Sequence, residues 1–204
     1  MSDRIAVAID FASPAAYLAV APARALESRL GRPFDWLPFS ISAVTRPKPA
    51  APGEDRGSRH RRARAEYLAL DLCRYAASRG FELGDPYRAP EARAPSLGLL
   101  WLRRRAPVLA SDYVTAVFDH LWCEHADAAD LDFVAKTLGG EAGGFRAYAS
   151  GEGPRDLAAV RAELEAAAVW NVPTFLVDGE PFLGRQHLPM VEWLATGRTG
   201  APPI

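Results

Sequence analysis

Strand patterns stand at the two ends of this 204-residue sequence, with helical patterns between them. Near the start, residues 5–9 (IAVAI) form a short uncharged run that is typical of a strand buried on both faces. Near the end, two apolar runs flank Asp178 and Gly179, a dipeptide suited to a two-residue hairpin turn. Strands at both ends with helices between them predict an α/β fold rather than an all-α fold.

A helix start follows the first strand directly. Ser13 is a favoured N-cap residue, and Pro14 suits the first helical position, where an amide would be unpaired in any case. Helical spacing of apolar residues then continues to Gly31, which ends the segment. A serine here is most often only a cap, but the hydroxyl and the free amides of the helix could also stabilise an anion. Both interpretations of Ser13 stay open.

Pro173 begins the first run of the C-terminal hairpin, at a position where a strand can spare an amide. Cis peptide bonds occur almost only before proline, although about nineteen in twenty X-Pro bonds of folded proteins are trans. A cis Val172-Pro173 bond would turn the backbone of Val172 outward, ready to pair with an extended peptide-like ligand. An ordinary trans proline at the start of a strand is the alternative.

Proline and glycine divide the middle of the chain. Residues 34–39 predict a second strand, and residues 46–57, rich in Pro, Ala and Gly, predict a loop. Residues 83–95 are irregular, with three prolines. Helical patterns cover approximately residues 59–75, 96–104, 107–123, 129–138 and 154–170.

Composition narrows the class of protein. The sequence is 49% hydrophobic and 24% charged, which is ordinary for a globular chain, and its formal net charge of −1 gives no indication of a nucleic-acid or membrane partner. No long apolar run or signal-peptide pattern is present, so we expect a cytoplasmic protein.

Cys73 and Cys123 form no Cys-x-x-Cys motif and are expected to be partly buried core residues. The four histidines show no ligand spacing, so no metal site is expected.

Several of these segments together resemble a known family. Residues 10–14 (DFASP), the Tyr17-Leu18 pair that follows, and the Val-Pro-Thr-Phe hairpin that ends at Gly184 are similar to the DsbA-like thioredoxin-fold superfamily. Within it, the pattern resembles the branch of 2-hydroxychromene-2-carboxylate isomerases and kappa-class glutathione transferases. Residues 67–76 (YLALDLCRYA) also resemble a helix of that branch. The resemblance implies a thioredoxin-like domain, residues 1–45 and 165–204, interrupted by an all-helical insertion, residues 58–164.

The resemblance also implies a chemistry. Redox members of the superfamily carry Cys-Pro-x-Cys at the first turn, where this chain has Ser13 and Ala16, so disulfide exchange at the turn is excluded. The implied cofactor is glutathione, and the catalytic residue is Ser13, which would stabilise the glutathione thiolate. That thiolate would add reversibly to an aromatic conjugated oxo-acid. The implied activity is a glutathione-dependent isomerase of aromatic catabolism. A kappa-like glutathione transferase acting on electrophiles and a non-catalytic thioredoxin-like binding protein are the alternatives, and dimers occur in the family.

The implied glutathione site lies at the hairpin. Val172 and Pro173 would hold the cysteinyl portion, and Arg185 and Gln186 would lie near the γ-glutamyl amine. The family commonly has an acidic residue at the position of Gln186. A glutamine carbonyl can still accept a hydrogen bond from an ammonium, but it lacks the charge that strengthens such a bond.

Substrate contacts are expected from two groups of residues. Phe11 and Tyr17 are close in sequence to Ser13 and would line an aromatic pocket, although packing in the core explains them equally well. The basic run at residues 59–64 (RHRRAR) most simply forms a solvated helix start. If it faces Ser13 instead, Arg62 and Arg64 could bind carboxylates of glutathione or of an anionic substrate.

Overall fold

The two ends of the chain meet in one four-stranded sheet. A computed structural model describes residues 4–42 and 44–203, so residues 1–3, 43 and 204 of the predicted thioredoxin-like domain lie outside the described residues. The strands are β1 (Ile5–Ile9), β2 (Asp35–Pro38), β3 (Thr174–Val177) and β4 (Glu180–Leu183). Their order is β2-β1-β3-β4, with β1 parallel to β2 and antiparallel to β3, and β4 antiparallel to β3. The predicted α/β class, a thioredoxin-like fold with inserted helices, is confirmed.

In the described chain, six of the eight α-helices lie between β2 and β3, and short 3-10 turns join several of them. The α-helices of the described residues are α1 (Pro14–Leu30), α2 (Arg56–Ser78), α3 (Arg93–Arg105), α4 (Ala110–Trp122), α5 (Leu131–Leu138), α6 (Phe145–Ser150), α7 (Gly153–Ala166) and α8 (Leu188–Ala195).

Helix ends differ from the sequence prediction where a cap was missed. The helix expected from residue 59 begins at Arg56, because the Asp55 side chain accepts a hydrogen bond from the Ser58 amide at 3.0 Å. The helix expected to reach residue 170 ends at Ala166, and Ala168 has a positive φ of 60°. Helix α6 was not predicted, because six residues give too little periodicity to recognise.

The hairpin between β3 and β4 is the one predicted. Asp178 has a φ of 53° and Gly179 a φ of 82°, the positive values that a two-residue type I′ turn requires. Facing residues in the pair are Val177 with Glu180 and Thr174 with Leu183. The turn therefore sets a register that brings the residues after β4 back beside the start of β3.

A continuous apolar core joins the sheet to the helices. Helices α3 and α7 pack against β2, while α1 packs against α4 and α8. A buried carboxylate also ties these layers: Glu27 in α1 accepts hydrogen bonds from the Phe34 amide at 2.7 Å and from Trp36 Nε1 at 3.1 Å. The Ser111 hydroxyl in α4 donates to the same carboxylate at 2.9 Å. These hydrogen bonds hold the C-terminal part of α1 to both the sheet and the insertion.

Across the described residues, every helix is too short or too polar to cross a membrane.

Candidate functional site

A cleft of about 650 Å³ opens at the N-terminus of α1. Its walls come from residues 13–15, from the inner face of α2, from residues 171–172 before β3, and from Arg185, Gln186 and Leu188 after β4. It therefore lies between the two halves of the sheet-forming chain and the first helix of the insertion. Most of its lining is apolar, with a small number of charged groups.

Ser13 caps α1, as the sequence predicts. Its backbone is extended, its Oγ accepts a hydrogen bond from the Ala16 amide at 3.3 Å, and its own amide donates to the Asp10 carbonyl at 2.9 Å. The residue is 6% exposed and lines the cleft. No described residue accepts a hydrogen bond from the hydroxyl, so its proton is available to a ligand.

The helix start offers one further donor. Pro14 has no amide hydrogen, the Ala16 amide is satisfied by Ser13 Oγ, and the Tyr17 amide donates to the Ser13 carbonyl at 3.1 Å. Among the described residues, nothing accepts a hydrogen bond from the Ala15 amide, and Ala15 lines the cleft beside Ser13. An anion bound there would therefore meet a hydroxyl, an amide and the positive end of the helix dipole together.

A buried carboxylate supports this turn. Asp10 is 4% exposed, and its two oxygens accept hydrogen bonds from the Ala12 amide at 2.9 Å and the Ile41 amide at 2.8 Å. Burial raises the pKa of Asp10 above its ordinary value, and the two amides oppose part of the rise. Asp10 therefore fixes the position of Ser13 without lying in the cleft itself.

On the hairpin side, Val172 lies in the cleft and the Val172-Pro173 bond is cis. The Val172 amide donates to its neighbour Asn171 Oδ1 at 2.9 Å, so it is already engaged. No donor among the described residues reaches the Val172 carbonyl, which remains available to a ligand. Pro173 does not line the cleft, and its carbonyl accepts a hydrogen bond from the Gly184 amide at 2.7 Å. The expected backbone contact to glutathione is thus reduced to the carbonyl of Val172.

Arg185 and Gln186 follow β4 and line the same cleft. Gln186 Nε2 donates to the Leu183 carbonyl at 3.0 Å, which leaves the side-chain carbonyl free to accept. Gly184 has a φ of 96°, and a side chain there would overlap the Gln186 amide. A glycine is therefore required for both the backbone conformation and the position of Gln186.

The guanidinium of Arg185 joins the hairpin to α2. Its Nη2 lies 3.8 Å from Asp71 Oδ2, and its central carbon lies 3.7 Å from the centre of the Tyr75 ring. The Arg185 side chain is 19% exposed, so this contact is partly shielded from solvent. Ion pairing and stacking together hold the two walls at a fixed spacing.

Arg79 is a cleft residue that no helical pattern in the sequence indicated. This residue follows the last turn of α2 and lines the cleft together with Arg185. Burial, followed by repulsion from the Arg185 charge, lowers the pKa of Arg79 below its ordinary value. The predicted helix stopped near residue 75, so Arg79 was assigned to no element. Its position directly before Gly80 at a helix end was the signal available.

The structure corrects the expectation that Phe11 and Tyr17 line the cleft. Phe11 is fully buried and packs against Phe118, because the turn after β1 directs it into the core. Tyr17 lies one turn beyond Ser13 and faces α4, where its hydroxyl contacts Asp119 Oδ1 at 2.8 Å. The tyrosines that do line the cleft are Tyr75 and Tyr87.

The structure also corrects the expectation for Arg62 and Arg64. Arg62 forms an ion pair with Glu54 at 2.6 Å and borders a separate hollow formed with residues 45–55. Arg64 is exposed on α2. Neither lines the Ser13 cleft, because helical geometry places them away from the inner face that carries Leu68 and Leu72.

The cysteines and histidines form no further site in the part of the chain that the structure describes. Both cysteines are free; Cys73 is partly buried, whereas Cys123 is exposed rather than partly buried as expected. The Cys123 sulfur lies 2.8 Å from the Tyr17 hydroxyl. No group of three or more His, Cys, Asp or Glu side chains among the described residues is arranged to hold a metal ion.

The architecture and the sequence agree with one family. The family model of the DSBA-like thioredoxin domain matches residues 4–194. This chain belongs to that family. No curated protein matches the sequence at a significant level.

Solved structures show the same fold. A 2-hydroxychromene-2-carboxylate isomerase is 24% identical with a TM-score of 0.68, and the match covers 95% of this chain and 94% of the other. A probable DsbA oxidoreductase from Streptomyces coelicolor is 16% identical with a TM-score of 0.65, covering 98% and 93%. The cytosolic disulfide reductase DsbM from Pseudomonas aeruginosa, solved with GSH, is 16% identical with a TM-score of 0.58, covering 95% and 96%. The structural neighbours of this DSBA-like chain thus include both an isomerase and oxidoreductases.

Proposed function

We propose that this DSBA-like protein is a glutathione-dependent isomerase acting on an aromatic conjugated oxo-acid. The observation that carries the proposal is the pair of free donors at the start of α1. The Ser13 hydroxyl and the Ala15 amide both border the cleft and donate to no described residue. A cysteine at this turn would make the protein a thiol reagent in its own right, whereas a serine can only stabilise a sulfur supplied by a ligand.

The residues present suit glutathione at three points. Ser13 and Ala15 can donate hydrogen bonds to a thiolate, and the Val172 carbonyl can accept one from a peptide amide. The Gln186 side-chain carbonyl is free to accept from an ammonium. A neighbour of the same fold, DsbM, has been solved with GSH, which supports the choice of this thiol.

Ser13 would act by favouring the charged form of the bound thiol. A hydrogen bond to a thiolate stabilises the anion relative to the neutral thiol and therefore lowers the thiol pKa. The Ala15 amide and the helix dipole act in the same direction. When bound, glutathione supplies a nucleophilic thiolate that can add reversibly to a conjugated oxo-acid and so permit rotation about a former double bond.

The rest of the cleft suits an aromatic acid. Leu68, Leu72 and Tyr87 provide an apolar wall, and Tyr75 adds an aromatic edge beside Arg185. An aromatic ring would gain free energy by leaving water on this wall, while a carboxylate would be attracted to the arginine end. The fold neighbour described as a 2-hydroxychromene-2-carboxylate isomerase supports a substrate of this class.

The activity can be tested by product analysis. The purified protein is incubated with 2-hydroxychromene-2-carboxylate, with and without glutathione, and the products are separated by chromatography. We expect conversion to the open-chain trans isomer only with glutathione, with no glutathione consumed. Stable conjugation of glutathione to 1-chloro-2,4-dinitrobenzene without isomerisation would instead show a kappa-like transferase. If the protein shows neither activity and does not bind glutathione, the result would indicate a non-catalytic thioredoxin-like binding protein.

A further inference from the structure

Arg79 lines the cleft, and its guanidinium has no partner among the described residues. No described residue accepts a hydrogen bond from it or forms an ion pair with it. The residue remains open to solvent, so a ligand in the cleft can reach it. Arg185, which lines the same cleft, differs in this respect because Asp71 and Tyr75 hold it.

The charges of the described lining residues are unbalanced. Arg79 and Arg185 are the basic residues of the cleft wall, and Asp71 is the acidic one. Asp71 lies beside Arg185, at 3.8 Å, which leaves the charge of Arg79 uncompensated. Partial burial, and after it the Arg185 charge, lower the pKa of Arg79, which agrees with a cation that lacks a nearby anion.

We propose that Arg79 is a carboxylate-binding residue of the Ser13 cleft, with Arg185 as the second cation of the same subsite. A planar guanidinium can bind a carboxylate through two parallel hydrogen bonds, which gives both affinity and orientation. The ligand identity rests on the proposed function: the carboxylate belongs either to glutathione or to the aromatic oxo-acid. Arg79 thereby takes the role that the sequence suggested for Arg62 and Arg64.

A purely structural role for Arg79 makes a different prediction. A cation at the C-terminal end of α2 would stabilise the helix through its dipole, whether or not a ligand is present. Loss of such a role would lower the melting temperature and weaken neutral and anionic ligands alike. A carboxylate-binding role would weaken the anionic ligand selectively.

The test uses calorimetric titration of the whole protein with three probes: glutathione, trans-cinnamate, and cinnamamide as the uncharged analogue of cinnamate. The variants are Arg79→Gln and Arg79→Lys, with Arg74→Gln as the matched control. Arg74 lies on the same helix, is exposed, and does not line the cleft. We expect Arg79→Gln to weaken the probe whose carboxylate it binds about tenfold or more, with partial recovery in Arg79→Lys. Cinnamamide affinity and the Arg74→Gln control should be unchanged.

The titrations with glutathione and with cinnamate together identify which ligand supplies the carboxylate. Selective loss of glutathione affinity assigns the subsite to the thiol, and selective loss of cinnamate affinity assigns it to the substrate. If Arg79→Gln leaves the affinity for both carboxylates unchanged, or if the wild-type protein binds neither at millimolar concentration, the proposal is overturned. A protein that binds cinnamate through Arg79 but never binds glutathione would keep the subsite and reject the glutathione-dependent function.

Discussion

The Asp10 carboxylate accepts a hydrogen bond from the Ile41 amide at 2.8 Å, joining the turn after β1 to the segment after β2. Its other oxygen accepts from the Ala12 amide at 2.9 Å. Ile41 lines the cleft, and Ser13 donates its own amide to the Asp10 carbonyl. One buried residue therefore positions both the proposed catalytic hydroxyl and a second part of the cleft wall.

Replacing Asp10 with asparagine should destabilise the protein by about 2 kcal/mol. Asparagine is nearly the same size but has one carbonyl oxygen, so either the Ala12 or the Ile41 amide is left without an acceptor. Urea unfolding measures the loss. Asp127→Asn is the matched control, because the Asp127 side chain is fully exposed, and it should change little. Equal stability of Asp10→Asn and wild type would show that these two hydrogen bonds contribute nothing.

The difference in stability between wild type and Asp10→Asn should depend on pH. Burial raises the pKa of Asp10 above its ordinary value of 3.8, so the folded protein binds this proton more tightly than the unfolded chain does. The contribution of the group to the free energy of unfolding therefore falls as pH rises from that value through the folded pKa, and is constant above it. The stability advantage of wild type over Asp10→Asn should be larger near pH 4 than near pH 7. An advantage that grows with pH would mean that the folded pKa is lowered instead.

The strands, turns and helix ends that depend on neighbouring residues could be predicted from the sequence. Uncharged β-branched residues in β1, the Ser13 cap, the Gly31 stop and the Asp178-Gly179 turn each depend on near neighbours, and each is found as predicted. Helix limits were less accurate, because caps such as Asp55 are single residues that the apolar periodicity does not reveal.

Removing the Tyr17 hydroxyl should affect stability and not ligand binding. The hydroxyl contacts Asp119 Oδ1 and the Cys123 sulfur, each at 2.8 Å, away from the cleft. We expect Tyr17→Phe to lose about 1 kcal/mol of unfolding free energy and to bind glutathione as wild type does. Thermal unfolding and calorimetry measure the two quantities separately. If a folded Tyr17→Phe protein bound glutathione more weakly than wild type does, Tyr17 would have to contribute to the ligand site after all.

Gly184 should be required for ligand binding as well as for conformation. Both Gly184 and Gly179 have positive φ, at 96° and 82°, so Gly184→Ala and Gly179→Ala should each cost about 1 kcal/mol of stability. A methyl group at Gly184 would also displace the Gln186 amide, whereas a methyl group at Gly179 would meet nothing within 4 Å. Calorimetry should therefore show weaker glutathione binding for Gly184→Ala alone. Equal affinities in the two variants would exclude a role for Gln186.

The residues that line the cleft were harder to predict than the strands and turns, because the lining depends on how segments distant in sequence pack together. Ser13, Val172, Arg185 and Gln186 do lie together, since the hairpin register and the start of α1 fix them. Phe11 and Tyr17 were misplaced because closeness in sequence to Ser13 does not decide which way a side chain points. Arg79 lies in the cleft only because α2 extends to Ser78 along it, a length that the sequence pattern did not show.

The ionisation of the bound thiol tests the proposed role of Ser13 most directly. The ultraviolet absorbance of the thiolate is measured against pH for glutathione bound to the wild-type protein and to Ser13→Ala, at saturating protein. Free thiols of this kind have a pKa of about 8.5. We expect the wild-type complex to lower that value clearly, and Ser13→Ala to return it toward the free value by about one pKa unit or more, the worth of one hydrogen bond to a charged group. Identical titration curves for the two proteins would contradict the proposed role of Ser13.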